Sequence, residues 1–343
     1  MASRSSFSNI IKLSIPIFFA NLAIPLVAIV DTGLMGNLGN ASYLTAVSIA
    51  SSVFSMIFWS FGFLRMGTVG MVAQAHGSDQ YKEIVNLVLR NIAFVVLISL
   101  LLILFQNFIF TISLQIFDLS SDTTTSFQEY FNIRIYSSFG ELTIYVITGL
   151  FIGLQKTKIS SIVVGFFSIT NIIFSLFFVL YFNMNVEGVA YGTLAASTVT
   201  TIIFLFYTFN YLSKMTSLEI NVRDVFNVNK IQSIFNINFN IFIRTILLTF
   251  SFLYFTYLGN SISEDVVAAN TILLNLTMLS AFILDAYAFS TEGVVGYSIG
   301  AKDKKLLKSV IKNSFILSAA SSLIICVIFL IGKNSFIEMM TDI

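Results

Sequence analysis

The stretch NLAIPLVAIVDTGLMGNLGN, residues 21–40, places a lone carboxylate, Asp31, at the end of a long apolar run. Between Ile10 and Val30 the only charge is Lys12, and a Gly-rich break follows the Asp. Such a run crosses a bilayer as a helix, because about 20 apolar residues cover a hydrocarbon core of about 30 Å. The Asp then needs a reason. Ionised at the edge of hydrocarbon it costs about 3 kcal/mol or more, and near a helix C-terminus the macrodipole disfavours negative charge. Two readings stay open: an interfacial carboxylate reaching water, or a cation-binding group facing the protein interior.

The rest of the chain is of the same kind. Of 343 residues 57% are hydrophobic and only 10% charged, with 37 Phe and a mean hydropathy of +0.90. A soluble domain carries about a quarter charged residues, so most of this protein's solvent is lipid. A net charge of +1 leaves no electrostatic footprint for nucleic acid. The single cysteine, Cys326, allows no disulfide within the chain, and the single histidine, His76, excludes a multi-histidine metal site. The N-terminal MASRSSF leads into an apolar stretch longer than a signal-peptide core, which reads as a retained first span.

Polar punctuation divides the chain into nine spans, at 8–35, 43–74, 84–113, 127–155, 159–182, 186–213, 235–258, 265–298 and 306–333. The runs are continuous rather than alternating, so the class is an all-α polytopic membrane protein and not a barrel. The second and eighth are longer than a straight crossing needs and are expected to tilt or project beyond the bilayer. Arg4 and Lys12 flank the start. Lys82 with Arg90, Lys156 with Lys158, Lys214 with Arg223 and Lys230, and Lys302 to Lys312 then flank every second connection. The alternate connections carry Asp118, Asp122, Glu187, Glu264 and Asp265. That is a positive-inside pattern with a cytoplasmic N-terminus.

The sequence also repeats. NLGNASYLTAVSIA (37–50) opens the second span and YLGNSISEDVVAAN (257–270) the eighth. Each leads to a small-residue turn and a polar loop, VGMVAQAHGSDQYKEI (69–84) and VVGYSIGAKDKKLL (294–307). Both copies start on the same side, so the repeat is parallel, and two such lobes around a cavity recur among transporters. The expected division is an N-terminal six-helix lobe at 8–213, a cytoplasmic linker at 214–234 with a short surface helix, and a partial three-helix lobe at 235–343.

Residues 30–77 (VDTGLMGNLGN through MVAQAHG) resemble the multidrug and toxic compound extrusion (MATE) family. FWSFGFLRMGT (58–68) and residues 269–303 resemble most its DNA-damage-inducible protein F-like branch. The resemblance implies a cation-coupled efflux antiporter with two six-helix bundles, of which this chain lacks the last three helices of the second. It also implies that Asp31 belongs to a first-lobe cation site with polar groups on spans five and six. The matching positions are Asn171 and Ser175 in TNIIFSLFF and Thr193 in EGVAYGTLAAS. Asn171 and Ser175 are spaced i, i+4 and share a helix face. Some relatives carry a second Asp where Ser175 stands. Without it a metal cation is held less tightly, and Asp31 would serve either Na⁺ or a proton.

The other intramembrane ionisables each carry two readings. Glu141 either pairs with Arg134, seven residues earlier, or lines a cavity that attracts cationic substrates. Arg65 either pairs across the lobe interface with Asp285 or snorkels to the headgroups. Asp285 and Glu292, spaced i, i+7, with Arg244 in span seven, form a stripe that lines the cavity or gates it. Pro16 and Pro25, the only prolines, invite a kink in the first span that a change at Asp31 would bend. Phe61 and Phe63 beside Trp59 offer an aromatic wall for a flat organic cation.

The expected function is a secondary antiporter, with no cofactor beyond the coupling ion, H⁺ or Na⁺. It is expected to export an amphipathic organic substrate by alternating access, as a monomer in a bacterial inner membrane. The alternatives are a lipid-linked oligosaccharide flippase, which wants a strongly cationic cavity, and a truncated inactive remnant. An enzyme is disfavoured: aspartate-rich metal motifs, paired histidines and a buried nucleophile with its base are missing from the sequence.

Overall fold

The computed structural model describes residues 6–117, 119–216, 222–260, 262 and 264–340. Arg4, Asp118, linker residues 217–221 and the side chains of Glu264 and Asp265 lie outside the described residues. Among the described residues every regular element is a helix, and nine helical segments are long and apolar enough to cross a membrane. They match the nine predicted spans in order and place.

The helices are α1 (Phe7–Gly36), α2 (Ala41–Ser60), α3 (Phe63–Gly77), α4 (Tyr81–Leu104), α5 (Gln106–Ile116), α6 (Ser121–Arg134) and α7 (Ser138–Gly153). Then follow α8 (Thr157–Leu176), α9 (Val186–Met215), α10 (Val222–Val225), α11 (Val228–Asn260), α12 (Glu264–Gly300) and α13 (Lys304–Met340). Side-chain caps start several of them. Ser6 accepts from the Asn9 amide, Asn40 from that of Ser42 and Ser120 from that of Thr123, each satisfying a first-turn donor. α1 runs through Pro16 and Pro25 as one helix.

Three boundaries differ from those expected. The second span is broken at Phe61–Gly62 into α2 and α3. The third ends at Leu104, with α5 a separate helix, rather than running to 113. The fourth is interrupted by a 3₁₀ turn, Ile135–Ser137, between α6 and α7. In each case an apolar composition continues across a backbone break, and hydropathy does not register it.

α7 is the most enclosed helix, packed by α3, α4, α8 and α9. Two apolar cores stack along it. One gathers Phe54, Phe58, Phe127, Phe131 and Leu142; the other gathers Ile84, Val88, Ile147, Phe151 and Phe204. Outside these cores Phe19, Ile29, Phe108, Phe206 and Leu323 are exposed. An apolar surface of that extent belongs against lipid.

The repeat is visible as geometry. The C-terminal turns of α3 and α12 close alike: Asp79 and Lys302 take φ of 58° and 55°. The Gln80 amide donates to Ala75 O at 2.8 Å and the Asp303 amide to Ser298 O at 2.9 Å, the same bond in each copy. The two copies also meet each other. A Cβ at Gly77 would lie 2.9 Å from Ala301 N, and one at Gly300 would lie 2.8 Å from the carbonyl carbon of Gln74. Only glycine permits this approach, which seals the Lys-rich end of the helix assembly between α3 and α12.

Candidate functional site

Asp31 lies five residues before the end of α1, about 8 Å along the axis. It is 8% exposed, and its Oδ1 is shielded from solvent with no hydrogen-bond partner. α1 packs closely on α8, whose buried face carries Asn171 and Ser175. Gly192 of α9 lets that helix approach α8 at Ser175, since a Cβ there would lie 2.7 Å from the Ser175 backbone nitrogen. The approach brings Thr193 to Asn171. Asn171 Nδ2 donates to Thr193 Oγ1 at 3.0 Å, Ser175 Oγ donates to Asn171 Oδ1 at 3.4 Å, and the Thr193 hydroxyl donates to Val189 O at 3.1 Å. The fold thus gathers Asp31, Asn171, Ser175 and Thr193 in one interior. Just beyond Ser175 the helix widens into a π-helical turn, Phe177–Tyr181, a feature frequent at functional sites.

The groups that bear electrostatically on Asp31 are Ser175 and Arg134. Arg134 was expected only as a partner for Glu141, and that pair is present. Its guanidinium forks onto the Glu141 carboxylate, with the Arg134 Nη2 to Glu141 Oε2 bond at 3.2 Å, and also meets Ser137. Ser137 Oγ donates to Glu141 Oε1 at 2.8 Å. The rings of Phe54 and Phe58 lie 5.1 and 5.2 Å from the guanidinium carbon, within cation–π range. Tyr130, one turn before Arg134, is 2% exposed and bears on both Arg134 and Asp31. Sequence reading passed over Tyr130, although its i, i+4 spacing to Arg134 was there to find.

A second polar group lies between α3, α11 and α12. The Arg65 guanidinium stacks on Phe289 at 3.6 Å from the ring centre. Of the two readings of Arg65, the pair with Asp285 is not formed; Phe289, one turn beyond Asp285, lies against the guanidinium instead, and the carboxylates of Glu292 and Asp285 act on Arg65 from farther off. Arg244 is exposed and donates to Met66 Sδ at 3.6 Å. Phe63 meets Phe61 and Phe242 edge-on, each at 5.9 Å, while Trp59 is exposed. Asp285 and Glu292 keep their i, i+7 spacing along α12, and Tyr287, Thr291, Glu292 and Val295 line a hollow of about 450 Å³ with Ser314 of α13.

Arg90 corrects the sequence reading. Rather than flanking a loop, it is 1% exposed. Its Nε donates to Val225 O and its Nη2 to Asp224 O, both at 2.6 Å, and its Nη1 meets Glu83 at 2.6 Å. Glu83 also pairs with Lys230. The connection between α9 and α11 is therefore fastened to α4 through the carbonyls that end α10. Among the described residues no group of three metal-ligating side chains occurs.

Long apolar helices around a shielded carboxylate, with two repeat-related segments meeting at one end, define a polytopic membrane protein with a polar interior. The comparisons narrow this to one family. The MatE family matches residues 16–177 and 241–343, and the chain belongs to it. It is 26% identical over 339 residues to DNA damage-inducible protein F of Escherichia coli K12, covering 99% of this chain and 74% of that protein. Identity to multidrug resistance protein NorM of Vibrio cholerae is 24% over 311 residues, covering 88% of this chain and 66% of that protein. Its fold matches that of a MOP superfamily transporter from Pyrococcus furiosus with a TM-score of 0.86 at 18% identity, over 97% of this chain and 74% of that one.

Proposed function

We propose that this transporter is a cation-coupled antiporter that exports an amphipathic organic compound by alternating access, with Asp31 as the coupling carboxylate. The observation that carries the proposal is the shielded Asp31, one oxygen unpartnered, facing the Asn171–Ser175–Thr193 set. A carboxylate so placed gains most from an entering H⁺ or Na⁺, because its charge is otherwise uncompensated at membrane depth. Coupling requires that the ion bind the two states unequally. The helix that carries Asp31 also carries Pro16 and Pro25, the hinge of the proposed transition, and it touches α12 of the second lobe through Ser14 and Ser290 at 2.7 Å.

The proposal takes 8–213 and 235–343 as the moving lobes and 214–234 as their linker. The lysines at one end support an N-terminus in the cytoplasm, and the family a bacterial inner membrane. One chain holds both faces of the cavity, consistent with a monomer. The substrate meets the Arg65, Arg244, Asp285 and Glu292 group, whose formal charges cancel, and the Phe61–Phe63–Phe242 wall. Names of relatives such as multidrug resistance protein NorM support an organic substrate.

The test is dye efflux from energised vesicles containing the 343-residue chain, under separately imposed H⁺ and Na⁺ gradients, beside Asp31→Asn. Efflux driven by one gradient and lost in the variant is the expected result. Equal efflux from both chains would remove Asp31 from coupling.

A further inference from the structure

The Arg134–Glu141 pair is stationed in the same interior as Asp31, and its surroundings are built for exchange. Counting formal charges, Asp31 and Glu141 are negative and Arg134 positive, so the interior holds one uncompensated negative charge. A single monovalent cation balances it. Two carboxylates thus compete for one guanidinium, and the fold supplies each with a substitute. Glu141 has the Ser137 hydroxyl at 2.8 Å, which shares its one hydrogen with Arg134 O at 2.7 Å, when Arg134 is elsewhere; Asp31 takes the transported ion.

Phe54 and Phe58 present their rings to the guanidinium at 5.1 and 5.2 Å, a face along which it stays stabilised without a fixed hydrogen-bond partner. Tyr130 bears electrostatically on both Arg134 and Asp31. The 3₁₀ turn Ile135–Ser137, directly after Arg134, interrupts the helix between the acid and the base, and such mid-helix 3₁₀ stretches often mark hinges.

We propose that Arg134 is a shared internal counter-ion, resting on Glu141 while Asp31 carries the coupling ion and turning toward Asp31 when the ion leaves. Arg134 is then a positioning residue that fixes a stoichiometry of one monovalent ion and excludes a second. Glu141 is its parking place, not a substrate ligand. The inference rests on the proposed role of Asp31, and its test separates the two.

The test uses the full chain in detergent and in proteoliposomes. The probe is a hydrophobic carbodiimide that labels carboxyls, with Asp31 labelling read by peptide mass spectrometry. Asp31→Asn sets the background and its vesicle efflux reports on the underlying proposal. Glu141→Gln removes the parking place, so Arg134 settles on Asp31, and labelling at Asp31 is expected to fall at least tenfold. Adding Arg134→Gln to that variant is expected to restore labelling and to lower the Na⁺ concentration that half-protects Asp31 by at least tenfold.

A purely structural pair predicts otherwise: every chain that elutes as folded labels Asp31 alike and with the same Na⁺ response. That result would overturn the counter-ion role while leaving Asp31 coupling intact if Asp31→Asn still abolishes efflux. Should Asp31→Asn transport normally, the underlying proposal fails with it.

Discussion

The segment α2–α3 and its repeat counterpart α12 end alike and differ in the middle. Each ends in a left-handed residue, Asp79 in one and Lys302 in the other, with the same closing bond, and each packs a glycine against the other's backbone. Midway, the first copy breaks at Phe61–Gly62 and places Arg65 just beyond the break, whereas the second runs unbroken from Glu264 to Gly300 and carries Asp285 and Glu292. Likeness is therefore retained where the copies touch and lost midway along them. The first copy contributes a cation there and the second contributes anions. Two copies of one motif have come to carry opposite charges along their middles.

The largest effects are expected where the copies touch. Gly77→Ala and Gly300→Ala each drive a Cβ into backbone, at 2.9 Å and 2.8 Å, where the neighbour has no rotamer to yield. Such overpacking costs about 1–3 kcal/mol and is paid only in the state that closes the Lys-rich end, so populations shift away from it. Thiol labelling of a cysteine introduced at Ala73 from that side should rise in both variants. Gly165→Ala is the control: a Cβ there meets nothing within 4 Å, and the helix gains about 1 kcal/mol. If only one of the two contact variants opens that end, the copies are not equivalent gates.

The next effect tests complementarity in the middle. Arg65→Gln removes the guanidinium from Phe289 and from the field of Glu292 and Asp285. Glu292→Gln removes the first of those charges. Groups sharing one electrostatic network couple by about 0.5–3 kcal/mol, so the double variant should be less destabilised than the sum of the singles. Thermal unfolding in detergent gives each term. Simple additivity would show that Arg65 answers to the Phe289 ring alone.

How much of this was legible in the sequence follows from the kind of signal. Nine spans and the repeat were legible because lipid enforces length and apolarity, and close backbone approach enforces glycine. Asn171, Ser175 and Thr193 could be placed beside Asp31 because the motif resemblance supplied their relation. Burial of Arg90 was not legible: its position about two and a half turns into α4, a helix whose first turn carries Lys82, reads as interfacial until the carbonyls of Asp224 and Val225 are seen upon it. Nor was the Arg65–Phe289 stack, since charge pairing was the only interaction that spacing suggested. The helix breaks at Phe61–Gly62 and Ile135–Ser137 left no compositional trace.

The smallest expected effect lies between α1 and α12. Ser14 Oγ and Ser290 Oγ are 2.7 Å apart and both are buried, while each hydroxyl also donates to a carbonyl of its own helix, Ile10 O and Tyr287 O. Both cannot use their single hydrogen at once, so the contact alternates with the two back-bonds and should be weak. Ser14→Ala or Ser290→Ala removes one hydrogen bond of about 1 kcal/mol at most, and the pair of substitutions should cost less than twice that. Transport should persist in all three. A loss as large as that of Gly77→Ala would mean that α1 is held to the second copy through this one contact, and that the first helix, not the glycine seal, sets which end is open.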